Sequence, residues 1–230
     1  MSMVIIQARM SSTRLPGKVL ELINGQPILG ILAERCASAV GEEQVIIATS
    51  AENSDKPIVE FANSRGLQYC CGSLDNVYER FTKTIMEFKL DNFVRVCADS
   101  PFLDPELIST AILKFNEYDV DLVTNIFPRS YPKGQSVEVI RAKTFLNRSF
   151  CLLDGFSSEH VTQTFYQNSH RFDILNFSGL DVKRQELTTW AVDTSEDLSA
   201  LREWAKSNPE GPRPFGIASY SLYSASGVHA

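Results

Sequence analysis

The sequence predicts an α/β domain built on a largely parallel β-sheet, and three observations lead there. Short β-like runs alternate with amphipathic helical segments through the first two-thirds of the chain, as βαβ units require. The length, 230 residues with 43% hydrophobic side chains, suits one such domain with a sizeable core, or one domain with a small appendage. The first apolar run, Val4 to Ile6, breaks at once into a loop rich in cations and hydroxyls, which puts polar chemistry at a strand end.

Taken in order, strands are expected at 3–6, 44–49, 67–71, 93–97 and 121–125, with helices near 27–39, 55–65, 75–88 and 105–118. The pattern then changes. Residues 137–141 alternate and read as part of a hairpin and helix arm, about 127–150, standing outside the βαβ core. Helical segments follow near 143–152 and 158–167, strands at 172–177 and 188–192, and a closing helix at 196–206. The domain thus ends near residue 207. Beyond it, Pro209, Pro212, Pro214, Gly211 and Gly216 make 208–230 an irregular tail.

Composition removes several classes of function. The N-terminal apolar run is short and lacks a charged n-region, so no signal peptide is expected, and no apolar stretch approaches the roughly 20 residues of a membrane span. The expectation is a cytoplasmic enzyme without membrane contact. A net charge of -6 argues against broad nucleic-acid binding. Five cysteines without C-x-x-C spacing read as reduced, mostly buried thiols. His170 and His229 carry no supporting context and read as structural or surface residues.

The loop after the first strand holds Arg9, Arg14 and Lys18 with Ser11, Ser12 and Thr13 between them, and no acid precedes Glu21. Forked Arg donors, a Lys point charge and loop N–H groups suit a polyphosphate. A solvated basic loop has the same composition. Pro16 stiffens the segment and Gly17 allows close backbone approach to an anion. It is not a Walker A loop, since Ser12 and Val19 occupy the places of its first Gly and its Ser or Thr. The G-x-G-x-x-G dinucleotide pattern is absent as well.

Two acids stand at expected strand ends. Asp99 follows the run FVRVC and precedes Ser100 and Pro101; Asp104-Pro105 supplies a better helix cap, which leaves Asp99 available to a metal. Asp193 follows Trp190-Ala191-Val192, while Thr194 and Asp197 have capping-box spacing. A hard oxygen pair of this kind suits Mg²⁺. The turn Cys71-Gly72-Ser73-Leu74-Asp75 lets a base and ribose lie against backbone, although Ser73 or Asp75 also reads as the cap of the next helix, with Arg80 forming an ion pair on it. Thr49 and Ser50 end the second strand as ribose neighbours or plain turn residues.

The run IQARMSSTRLPGKVL, residues 6–20, resembles the cytidylyltransferases that activate acidic sugars, above all the SpsF-like branch associated with spore-coat polysaccharide. Further matching blocks extend to about residue 204. The resemblance implies a Rossmann-like, three-layer nucleotide-diphospho-sugar transferase fold with a mixed, mostly parallel sheet. It implies transfer of CMP from CTP to an acidic sugar of ulosonate or nonulosonate type, with release of pyrophosphate. In that reading Ala8, Arg9, Ser12, Arg14, Lys18, Thr49, Gly72, Ser73 and Asp75 meet the nucleotide. Asp99 and Asp193 hold the catalytic Mg²⁺, and Arg9, Arg14 and Lys18 stabilise the leaving pyrophosphate. Lys133, Glu138, Glu159 and His160 fall in blocks flanking the acceptor half of the cleft. Ser136 departs from the Asp that relatives often carry, which keeps a phosphorylated acceptor open beside the acidic sugar. A non-catalytic relative that only binds nucleotide is a third reading. The resemblance also implies a homodimer in which the 127–150 arm packs across a two-fold axis.

Overall fold

Strand β1 (Met3–Gln7) decides the layering. Val4 and Ile6 enter one apolar cluster and Ile5 enters the other, so both faces of the strand are covered. The computed structural model describes residues 2–179, 189–209, 211–212 and 214–223. After β1 come a short hairpin of β2 (Leu22–Ile23) and β3 (Gln26–Pro27), then α1 (Ile28–Val40), β4 (Val45–Ser50), α2 (Lys56–Ser64), β5 (Gln68–Gly72), α3 (Val77–Glu87) and β6 (Asn92–Cys97). The second half adds α4 (Pro105–Glu117), β7 (Leu122–Thr124), β8 (Glu138–Arg141), α5 (Ala142–Phe145), α6 (Gln163–Gln167), β9 (Ile174–Ser178), α7 (Ser195–Ser207) and β10 (Ser219–Tyr223).

Eight strands form one sheet in the order β10-β9-β7-β8-β6-β1-β4-β5. Strands β5, β4, β1 and β6 pair in parallel, as do β7 and β9, while β8 and β10 run against their neighbours. Helices α1, α2 and α4 cover one face through Leu29, Leu32, Ile58, Leu107 and Ile108. Helices α3, α5 and α6 cover the other through Phe81, Ile85, Phe145 and Phe165. Full burial of each such side chain contributes about 1.5–3 kcal/mol. A third, smaller cluster seats α7 on Trp190 and Phe102 by way of Leu198 and Leu201. Among the described residues, no helix is long and apolar enough to cross a membrane.

The structure departs from the sequence reading in the second half. Residues 138–141 are not an arm outside the core. They form β8, inserted between β6 and β7 and antiparallel to both, with Glu138, Val139 and Ile140 buried. The chain covers the apolar side chains of this alternating segment within its own sheet. The expected strand at 188–192 is also absent over its described part, 189–192, which is irregular; Thr188 lies outside the described residues. The helix expected at 158–167 shortens to α6, and that at 143–152 divides into α5 and a 3-10 turn over Arg148–Leu152. The tail is not irregular throughout. Strand β10 pairs with β9 along Ser219–Tyr223, and Tyr131 Oη donates to the Gly216 carbonyl at 2.8 Å. His229 and residues 224–230 lie outside the described part.

Candidate active site

The polar groups gather where β1, β4, β5 and β6 end. The loop after β1 is shaped by one carbonyl and one buried acid. The Met10 carbonyl accepts from Ser12 N at 2.9 Å and Gly17 N at 2.8 Å, and Gly17 takes a φ of 74° to close the turn. Asp55, fully buried, accepts from Met10 N through Oδ1 at 2.8 Å, and through Oδ2 from Thr49 Oγ1 at 3.3 Å and Ser50 N at 3.2 Å. Asp55 therefore staples the basic loop to the end of β4. Its sequence position before Lys-Pro reads as a helix start, and no side-chain cap bond forms there. Thr49 is fully buried and serves this staple.

Lys18 leaves that loop and enters the cleft. Its ammonium donates to the Val192 carbonyl at 2.6 Å and lies 3.0 Å from Asp193 Oδ1 and 3.4 Å from Asp99 Oδ2. Arg14 Nη2 reaches the same Asp193 oxygen at 3.0 Å. Two carboxylates and two cations thus converge, and the local charge balances. Partial burial pushes the Asp193 pKa upward, but the hydrogen bond and charge of Lys18, with Arg14, outweigh it and hold the carboxyl below its ordinary 3.8. Asp99 Oδ1 accepts from Ser100 Oγ at 3.0 Å.

Asp193 arrives there without a strand. Trp190 N donates to the Lys133 carbonyl and Val192 N to the Asp99 carbonyl, both at 2.8 Å, so the segment is threaded between two loops. Gly134 permits the approach: a Cβ on it would stand 2.3 Å from the Trp190 carbonyl carbon. Beyond Asp193 the capping box forms as expected, with Asp197 N donating to Thr194 Oγ1 at 3.2 Å and Thr194 N to Asp197 Oδ2 at 2.9 Å. Asp104 likewise caps α4, accepting from Glu106 N at 2.9 Å.

The turn after β5 is supported from below. Asn76, rather than Ser73 or Asp75, caps α3, accepting from Glu79 N at 2.9 Å. Ser73 Oγ accepts from Asn76 N and Ser73 N donates to Glu79. Arg80 forms no ion pair among the described residues. It is fully buried and donates Nη1 to the Ser73 and Leu74 carbonyls at 2.8 and 3.4 Å. Gly72 lets the helix come this close, since a Cβ there would lie 2.8 Å from Arg80 Cα.

A cleft of about 210 Å³ opens beside the Asp99–Asp193 pair, its far wall carrying Arg95, Arg129, Lys133, Ser136 and Glu138. Glu138 is 1% exposed, and both of its oxygens are engaged: Oε2 by Arg95 Nη1 at 2.6 Å and Oε1 by the Tyr166 hydroxyl. Burial, and then the Glu138 charge, raise the Tyr166 pKa well above normal, so its proton stays in that bond. Glu138 is accordingly a wall of the site rather than a free ligand. Glu159 pairs with Arg9 at 3.0 Å, and His160 uses its backbone N–H on Ser157 Oγ at 2.9 Å. Ala8 continues the sheet, its N–H donating to the Ala48 carbonyl at 3.0 Å, and Ser12 Oγ accepts from Leu15 N at 3.4 Å. Asp75 sits on the turn preceding the Asn76 cap. Among the described residues no group of three His, Cys, Asp or Glu side chains is close enough to hold a metal unaided.

The arrangement offers cations for a polyphosphate and two hard oxygens. The chain is similar to known proteins in sequence and in fold. SpsF of Bacillus subtilis, a spore coat polysaccharide biosynthesis protein, is 29% identical over 215 residues, covering 91% of this chain and 88% of that one. A cytidylyltransferase from Leptospira borgpetersenii superposes with a TM-score of 0.79 at 24% identity, covering 91% of this chain and 95% of the other. A CMP:2-keto-3-deoxy-manno-octonic acid synthetase complexed with CTP does so with a TM-score of 0.66 at 18% identity, covering 90% and 99%. At those identities the two structures speak for the shared nucleotidyltransferase fold alone. The cytidylyltransferase family model matches residues 3–207, nearly the whole described domain, and this chain belongs to the cytidylyltransferase family.

Proposed function

We propose that the protein transfers CMP from CTP to an acidic sugar, of ulosonate or nonulosonate type, releasing pyrophosphate, as an Mg²⁺-dependent cytoplasmic step in surface polysaccharide synthesis. The observation that carries the reading is the convergence of Lys18 and Arg14 on Asp99 and Asp193 at the carboxyl ends of the parallel strands. Membership of the cytidylyltransferase family supports CTP as the donor, and the similarity to SpsF, a spore coat polysaccharide biosynthesis protein, supports the surface-polysaccharide setting.

The donor set fits Mg²⁺. Two carboxylates already face one cationic point, the Lys18 ammonium, and a magnesium shell is usually completed by phosphate oxygens and water. Asp99 and Asp193 would hold the ion, which supplies charge neutralisation at the α-phosphate when bound. The protein's own part is positioning. Arg9, Arg14 and Lys18 lie on one stapled loop and grip the triphosphate, with Ala8 and Ser12 offering backbone and hydroxyl contacts. As pyrophosphate leaves, the same cations balance its growing charge. The turn of Gly72, Ser73 and Asp75 receives the nucleoside, with Thr49 behind it. The acceptor is assigned to Lys133 in the cleft, with Glu159 and His160 as its further contacts, and its oxygen attacks the α-phosphorus as the bond to pyrophosphate breaks.

Thermal melts with each nucleoside triphosphate test the reading. CTP with Mg²⁺ is expected to stabilise the full chain more than ATP, GTP or UTP, and at 100 times Kd the gain is about 2.7 kcal/mol. Equal shifts with all four nucleotides, or a CTP shift indifferent to Mg²⁺, reject it.

A further inference from the structure

The match to the cytidylyltransferase family ends at residue 207, and the chain beyond it returns to the loops behind the site. Three hydrogen bonds tie it down in succession. Phe215 N donates to Asp104 Oδ2 at 2.9 Å, the Gly216 carbonyl accepts from Tyr131 Oη at 2.8 Å, and Ala218 N donates to the Ser178 carbonyl at 2.7 Å. Strand β10 then adds to the sheet along β9. Ile217 and Leu222 pack on the apolar cluster that α1, α2 and α4 cover, so this strap has apolar anchors beside its polar ones.

The strap touches the supports of the site rather than the site itself. Asp104 is buried; its other oxygen caps α4, and its N–H donates to Gln135 Oε1 at 2.8 Å. Gln135, fully buried, donates in turn to the Phe102 carbonyl at 2.8 Å. The loop of Lys133 and Gly134 is thereby fastened to the same acid as the strap. Phe215 adds a second link. Its ring stands at 88° to Trp190 with centroids 5.9 Å apart, and at 76° to Tyr131 with centroids 6.5 Å apart. It packs both on the cluster under α4 and on the cluster that seats α7. Trp190 N donates to the Lys133 carbonyl at 2.8 Å, and the Val192 carbonyl, just before Asp193, accepts from Lys18 at 2.6 Å.

We propose that Phe215 is a positioning residue for the reaction: the C-terminal strap clamps the 190–193 segment onto the Lys133 loop and so fixes the place of Asp193 in the site. The segment is irregular, and its Trp190 and Val192 N–H groups go to the Lys133 and Asp99 carbonyls of two loops. Backbone bonds of that kind open locally unless side chains pack over them. Edge-to-face rings supply such packing with a preferred geometry, and one ring set against both Trp190 and Tyr131 fixes the spacing of the two pieces. The basic loop is stapled separately, by Asp55 to the end of β4, so the strap acts on Asp193 without reaching that staple. The clamp rests on these contacts, and only its consequence for turnover rests on the transferase reading above.

Hydrogen exchange of the full chain tests the clamp without any substrate. In Phe215→Ala the Trp190 and Val192 amides should exchange about 10-fold faster, the effect of losing two ring contacts, and Phe215→Tyr, which keeps the ring, should restore them. Leu67→Ala trims the same apolar cluster beside β5, at the opposite edge of the sheet from β10, and should leave these amides at the wild-type rate. Turnover of CTP with an acidic sugar, measured well below every melting temperature, gives the second readout. In Phe215→Ala kcat should fall about 10-fold with KM for CTP unchanged, and Phe215→Tyr should recover it. Equal exchange in wild type and Phe215→Ala overturns the clamp. Equal acceleration in Leu67→Ala overturns it too, since it signals loosening of the whole core. Faster exchange with wild-type turnover overturns the role in the reaction. Should Phe215→Ala fail to fold, Phe215→Leu keeps most of the apolar volume, loses the ring and carries the same comparison. Should the wild type release no pyrophosphate from CTP with any acidic sugar, the transferase reading falls, and the exchange rates still decide the clamp.

Discussion

The Lys18 ammonium stands 3.0 Å from Asp193 Oδ1, joining residues 175 positions apart. One comes from the loop after the first strand and the other from the threshold of α7. The contact needs β1 and β6 side by side and the 189–193 segment threaded between the loops at Asp99 and Lys133. The site therefore exists only when both ends of the domain are folded.

Asp99→Asn and Asp193→Asn should each remove most turnover while keeping the fold, because each keeps shape and loses charge. Pyrophosphate release is the readout, with near-ultraviolet circular dichroism as the control. Release close to the wild-type rate in either variant shows that the wrong acid has been chosen.

The lowered Asp193 pKa has a signed consequence. Its stabilising contribution is complete above 3.8 and is lost as pH falls through the lower folded-state value. The stability difference between wild type and Asp193→Asn should stay level from about pH 7 to pH 5 and shrink below about pH 4. Urea unfolding at constant ionic strength measures it. A difference that is flat through the acid range removes Lys18 and Arg14 as the cause.

Gly134→Ala is expected to disturb the segment that delivers Asp193. The added Cβ meets Trp190 backbone, and Gly134 holds a φ of 91°, so overpacking and strain coincide. The cost should exceed the ~1–3 kcal/mol typical of an added core methyl group, and turnover should fall because the segment carrying Asp193 is displaced. Wild-type melting temperature and turnover together contradict the account.

Arg95 and Glu138 form a buried pair at 2.6 Å. Removing one partner leaves an uncompensated charge, so Arg95→Met should cost about 3–5 kcal/mol, whereas the double change Arg95→Met with Glu138→Met should recover much of it. Urea midpoints of the two variants decide. A double variant as unstable as the single one means that Tyr166, not the ion pair, governs the site.

Arg14→Ala should weaken CTP binding while leaving the choice among acceptors unchanged. Charge-assisted hydrogen bonds contribute about 1.5–3 kcal/mol, which is a loss of roughly 10- to 100-fold. Titration with CTP at constant Mg²⁺ reads the first effect and an acceptor panel the second. An unaltered CTP affinity returns Arg14 to a surface role.

The sequence by itself determined the parallel half of the sheet, the caps at Asp104 and Thr194, and the identity of the basic loop and its two acids. Those features are local: strand periodicity, helix caps and loop composition act over a few residues, so a short stretch of chain contains the whole cause. Tertiary structure decided what the side chains meet. Residues 137–141 alternate whether they belong to an arm or to a central antiparallel strand, and only the neighbours β6 and β7 choose. Asp55 reads as a helix start, yet the fold turns it inward as the staple of the basic loop, and Arg80 reads as an ion pair on its helix, yet the close approach at Gly72 buries it. Asp193 reads as a strand end and instead sits on an irregular segment held by the backbone of Asp99 and Lys133. In each case the deciding partner lies far along the chain or in another layer, where composition and periodicity carry no information about distance.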